Sequence, residues 1–206
     1  MLFKTLALLS LLIALLLLKT MVGVFPSLIA CLTRWKESVN LDASVQLSRN
    51  RDITALALVI PFCLTVTRFH LYDPHFMVGF TDNGRLAVTI AILIGWMLLR
   101  TFLEHVFRPK KANPRAYGTA RKAAYTFFSL LTLLLMLTGG TMAFVDAAPE
   151  TIKTAMLWIS ATIYAVLLLR KTQILISSYS FFASFLYLCA LEIIPTGALV
   201  ASAIIF

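Results

Sequence analysis

Charged side chains are scarce in this chain. Asp, Glu, Lys and Arg make up 13% of its 206 residues, and only nine of them are acidic. Soluble domains carry about 25% charged residues, so a water-facing surface of the ordinary kind is excluded. Catalytic signatures are missing as well. There is no GxxxxGK[ST] phosphate loop, no HExxH zinc helix, no GxSxG nucleophile elbow, and no paired intramembrane carboxylates of the kind a diacid protease needs. The three cysteines, Cys31, Cys63 and Cys189, sit in separate apolar segments without CxxC spacing. That spacing excludes a zinc knuckle or a disulfide framework and leaves them as small buried hydrophobes. The six apolar segments do not read as two similar halves, which removes the internal repeat common in transporters.

What the chain does have is apolar length: 60% of it is hydrophobic. A core of this size cannot hide so much apolar surface, so lipid must solvate most of it. A spanning helix needs about 20 apolar residues. The pattern predicts an all-α polytopic transmembrane bundle, one membrane domain over 1–206, with about six spans at 5–19, 53–71, 86–107, 121–145, 150–170 and 178–203. The formal net charge of +9 comes from basic residues clustered between the apolar segments, not from a soluble face. Those clusters are topology signals and contacts for anionic lipid headgroups. They give no reason to expect nucleic acid.

Basic connections tend to stay cytoplasmic. Between 108 and 122, Arg108, Lys110, Lys111, Arg115, Arg121 and Lys122 meet no acidic residue, so this connection is expected inside. The segment with Arg34, Lys36, Arg49 and Arg51 and the Arg170-Lys171 turn then lie on the same side. The loops carrying Asp73 and Asp82, and Asp146 and Glu150, lie outside, with both termini. After the first span, Phe25, Leu28, Leu32, Trp35 and Val39 recur at three and four residues while Ser27, Arg34 and Ser38 fall elsewhere. This predicts an amphipathic elbow helix over 25–38 along the cytoplasmic face, with Pro26 in its first turn and Trp35 at headgroup level. Lys4 and the leucine run resemble a signal peptide, and Leu28-Ile29-Ala30-Cys31 matches a lipoprotein cleavage box, but Lys19 and Pro26 interrupt the apolar run that such a box follows.

A charge at the bilayer centre costs at least about 2.5 to 3.5 kcal/mol, so ionisable residues inside spans need partners or a function. Four stand there: Arg68, Arg100, Glu104 and Glu192. Arg100 and Glu104 are one helical turn apart and can pair. Glu192 is expected to face the bundle at about the depth of Arg68, its expected partner, with both about 21 to 22 Å from the cytoplasmic side at 1.5 Å per residue. These four form the candidate intramembrane polar site; no catalytic, metal or cofactor-binding residue is identified. Haem ligation by His70, His75 and His105 is disfavoured, because His70 and His105 fall at opposite ends of their spans. Gly95, Gly139 and Gly140 are places where helices can approach closely.

The segment Leu186-Tyr187-Leu188-Cys189-Ala190-Leu191-Glu192-Ile193-Ile194-Pro195 resembles the C-terminal signature of a family of bacterial integral membrane proteins known as domain of unknown function 4271. The Arg170-Lys171 turn and the leucine-rich first span followed by an elbow are similar too. The resemblance implies a bacterial inner-membrane protein and carries no activity. The expected function is that of a non-enzymatic accessory or scaffold subunit of an envelope complex, acting through a membrane-protein partner. The alternative is a small transporter or proton-coupled channel that uses Glu192 and Arg68.

Overall fold

A backbone surrounded by hydrocarbon must satisfy its own N–H and C=O groups, and helices do so within one segment. A computed structural model describes residues 2–106, 114–177 and 181–205, with side chains at 4–106, 117–177 and 181–203 except 183. Every regular element among them is helical. Five helices are long and apolar enough to cross a membrane, and a bent pair makes a sixth. The protein is therefore an all-α, multi-pass membrane protein.

The bent pair is α1 (Leu2–Leu16) and α2 (Leu18–Thr33), which meet at Leu17 at 74°. The turn comes earlier than the expected span 5–19 allowed, and it keeps the exposed Lys19 from being carried onward along the axis of α1. The elbow expected over 25–38 is not one helix. Pro26 lies inside α2, not in a first turn, and the extended backbone of Arg34 (φ −134°, ψ 120°) separates α2 from α3 (Trp35–Ala43). The buried stripe of α2 is Val24, Leu28 and Cys31, packed on Leu41 and Leu130. Phe25 and Val39, on the expected apolar face, are not covered by protein. Trp35 packs beside Ala120, Ile174 and Leu175. With apolar residues on both faces of α2, the period of the pattern does not say which face meets protein.

Next come α4 (Val45–Ala57) and α5 (Val59–Arg68), one span with an irregular turn at Leu58. Pro61 lacks the N–H that would bond the carbonyl of Ala57, which accounts for the irregularity. This span begins eight residues before the expected 53, at the Ser44 N-cap, whose hydroxyl accepts from Leu47 N at 3.4 Å. A short 3₁₀ turn, His75–Met77, leads to α6 (Asp82–Val106). The long pair α7 (Pro114–Phe144) and α8 (Pro149–Ile176) follows, with Pro149 pre-set for the first turn of α8. Of the expected basic connection over 108–122, residues 108–113 lie outside the described residues and the rest forms the start of α7. The last span runs through α9 (Phe181–Leu188), a π-helical turn (Cys189–Ile193) and α10 (Ile194–Ile205).

The helix α7 presents buried Thr126, Ser129 and Thr132 along one face, and the hydroxyls of Ser129 and Thr132 bond back to Tyr125 O and Phe128 O. Of the three glycines expected at close approaches, Gly139 is the tight one. A Cβ there would run into Met156 Cε and lie 2.7 Å from Phe69 Cε2, whereas Gly95 and Gly140 have open space around them.

Candidate functional site

In the last span the extra residue of the π turn sits just before the buried Pro195. Ile194 N bonds Cys189 O, a five-residue spacing that widens the helix and spares Leu191 O the clash with the proline ring. Glu192 is in this turn and is 3% exposed. Its Oε1 accepts from Lys171 Nζ on α8 and is ion-paired with Arg100 Nη2 on α6 at 3.0 Å. The same Arg100 nitrogen is 3.4 Å from Glu104 Oε1, one turn further along α6. Two cations and two carboxylates from three helices therefore close into one cluster of balanced charge, with every side chain 12% exposed or less.

Tyrosines frame the cluster. Tyr164, two turns before Lys171 on α8, donates to Glu192 O at 2.9 Å. Tyr117 donates to Glu104 O at 3.1 Å and packs edge-on against Tyr187 at 5.6 Å. Arg100 lies 5.7 Å from the ring of Trp96. Among the described residues Arg100 Nε and Trp96 Nε1 are buried without a hydrogen-bond partner.

Three of the four residues expected in an intramembrane site, Arg100, Glu104 and Glu192, come together. Arg68 does not join them. It is exposed at the end of α5 and is in no ion pair among the described residues. That end of α5 adjoins the start of α6, where Arg85 binds Asp73 at 3.2 Å and His70 at 2.8 Å. Arg100 is fifteen residues further along α6, about 22 Å away at 1.5 Å per residue. The partner expected for Glu192 is thus corrected from Arg68 to Lys171 and Arg100. The two carboxylates, Glu104 and Glu192, thus meet on one Arg100 nitrogen. His105 stands at the far end of α6 from His70, about 30 Å by the same rise.

The sequence model of the family described as Domain of unknown function (DUF4271) matches residues 4–202, nearly the whole chain. The chain belongs to the DUF4271 family. No curated protein and no solved structure matches it. In this DUF4271 chain the segment that carries the resemblance is the one that holds the π turn and Glu192.

A second polar cluster escaped the sequence reading. Arg51, expected in a basic loop, is 1% exposed. Its Nη2 lies 3.6 Å from Asp42 Oδ1 and donates to Ser48 Oγ at 3.0 Å, and its Nε donates to Asp52 Oδ1 at 2.9 Å. Asp42 is the hub: it also accepts from Lys122 Nζ at 2.9 Å and from Thr119 Oγ1 at 3.2 Å, which joins α3 to α7. Burial alone would push the Asp42 carboxyl up. The hydrogen bond and charge of Lys122, the charge of Arg51 and the Thr119 hydroxyl outweigh it, so the net direction is down from 3.8. The legible signal was the acids, Glu37, Asp42 and Asp52, that stand among the basic residues of this segment. Nearby, Arg170 donates to Leu32 O at 2.7 Å and to Thr33 O at 2.9 Å, closing the C-terminal end of α2.

Proposed function

We propose that this protein is a non-enzymatic accessory or scaffold subunit of a bacterial envelope complex, lying in the inner membrane with its basic connections cytoplasmic and both termini outside. The observation that carries this reading is the self-compensated cluster of Lys171, Glu192, Arg100 and Glu104. It locks α6, α8 and the last span together with charges that satisfy one another, as a rigid platform for a partner requires. Affinity purification from native membranes tests it. A stoichiometric membrane-protein partner supports the reading, and recovery of the chain alone from gently solubilised membranes overturns it. Impermeant thiol labelling of cysteines placed one at a time in a cysteine-free chain tests the orientation. Labelling in 108–122 with protection of the loop between α7 and α8 would reverse it.

A second reading, a proton-coupled channel or small transporter, is favoured by one feature of the same site. Glu192 lies in a π turn, an arrangement frequent at functional sites, beside the unpartnered Arg100 Nε. Glu192→Gln separates the two. Lost membrane abundance supports the structural lock, and normal abundance with lost phenotype supports the proton site.

A further inference from the structure

At the basic end of the span formed by α4 and α5, an open cleft runs between α4 and α7 with Asp42 and Ser48 at its base and Lys122 on its far wall. One face of α4 forms the near wall, with Val45, Arg49, Asp52, Ile53 and Leu56 spaced by threes and fours. That face changes character along its length. Arg49 and Asp52 give it charge at the polar end, whereas Ile53 and Leu56 give an apolar track below. Leu56 is 75% exposed and Val45 84%. From Val45 to Leu56 is about 16 Å at 1.5 Å per residue, the reach of a headgroup and the first part of an acyl chain.

The charges in the cleft are not evenly engaged. Lys122 and Arg51 are tied to Asp42 and Asp52. Arg49 is exposed and in no ion pair among the described residues. Both nitrogens of Arg51 that reach Asp52 fall on Oδ1, so Oδ2 has no hydrogen bond among the described residues, and the Asp52 side chain is 44% exposed. The cleft thus offers a free cation and a free carboxylate oxygen three residues apart on one helix, above an apolar track.

We propose that this cleft binds a phospholipid whose headgroup carries a primary ammonium, the phosphatidylethanolamine class. Arg49 takes the phosphate, with Lys122 contributing at the far wall. Asp52 Oδ2 accepts from the ammonium, and one acyl chain lies along Ile53 and Leu56. The pattern selects against the other common lipids. With the phosphate on Arg49, phosphatidylglycerol brings only neutral hydroxyls to Asp52 Oδ2 in place of a charge-assisted N–H donor, and a trimethylated ammonium has no N–H to donate.

The test is native mass spectrometry of the full-length protein in micelles titrated with dioleoyl phosphatidylethanolamine, phosphatidylcholine or phosphatidylglycerol, and with water-soluble glycerophosphoethanolamine. Retention of phosphatidylethanolamine about tenfold above phosphatidylcholine is expected, the scale of one charge-assisted hydrogen-bond set. Arg49→Gln, an exposed change outside the buried network, is expected to cut that retention about fivefold without shifting thermal unfolding. Asp52→Asn is expected to erase the preference over phosphatidylcholine. Equal or better retention of phosphatidylglycerol overturns the proposal, as does equal retention of phosphatidylcholine. Unchanged binding in Arg49→Gln overturns it too, and glycerophosphoethanolamine binding as tightly as the lipid would make this a soluble-phosphate site.

Discussion

Replacing Glu192 by Gln keeps the side chain's shape and removes one charge, and the cluster around it sets the consequence. The four charges sum to zero; after the change Lys171, Arg100 and Glu104 leave one uncompensated cation in a site where Lys171 is 4% exposed. Breaking a buried ion pair from one side costs about 3 to 5 kcal/mol, out of a total stability of about 5 to 15 kcal/mol. For a chain of this size that is a fall of roughly 6 °C or more in thermal unfolding. Fluorescence-detected size exclusion after heating measures this directly in detergent. Lys171→Met alone leaves an excess carboxylate and is expected to cost a similar amount. The double variant keeps only the Arg100–Glu104 pair, again neutral. It should therefore be more stable than the sum of the single losses by about 2 kcal/mol or more, the coupling expected of residues in direct contact. Unfolding of Glu192→Gln within about 2 °C of wild type, or strict additivity in the double variant, would refute the claim that charge balance holds the three helices together.

Gly139→Ala places a methyl against Met156 Cε and the Phe69 ring, so it is expected to cost about 1 to 3 kcal/mol in thermal unfolding, while Gly140→Ala, with open space around it, costs nothing measurable. Asp42 has a carboxyl lowered from 3.8, so its contribution to stability is present above that value and is lost as the pH falls below it and through the folded value. Asp42→Asn should be less stable than wild type at pH 7 and show a shallower loss of stability on acid titration, and parallel curves would contradict the assignment. Arg170→Ala removes three bonds to Leu32 O and Thr33 O and should cost about 1 to 2 kcal/mol, reduced from the full charged-bond range because the side chain is partly exposed. Hydrogen exchange should rise at the end of α2 and little elsewhere.

The membrane class and the larger spans were legible because apolar runs of spanning length leave few other structures. The stretch between the first and second spans was not legible to the same degree. Its polar residues, read as a cytoplasmic connection with an elbow, instead build the end of α2, α3 and the first part of α4, with Ser38, Ser48 and Arg51 all buried. A basic residue in a connecting segment counts toward topology whether or not it is also an interior partner, so Arg51 served one reading and hid the other. The opposing acid Asp42, nine residues before it in a segment that also holds Glu37 and Asp52, is the point at which charge counting should yield to pairing.

The same reasoning explains the misassigned partner of Glu192. Reckoning depth by residue number treats each charge as if it sat on its Cα, which matched Glu192 to Arg68 and passed over the residue it touches. Lys171 follows Arg170 in sequence, but neighbours on a helix point about a quarter-turn or more apart, and here they part company: Arg170 reaches out to the end of α2, and Lys171 turns inward on the stripe that holds Tyr164 and Leu167. The pair expected in a turn lies within α8, which runs on to Ile176, and two adjacent basic residues on a helix need not share a job. The one on the buried stripe is the interior candidate, and its long stem moves the charge well away from its own backbone level. A search for the partner of an intramembrane carboxylate in such chains should begin with lysines and arginines near helix ends that fall on a buried stripe, before those whose Cα lies at the matching depth.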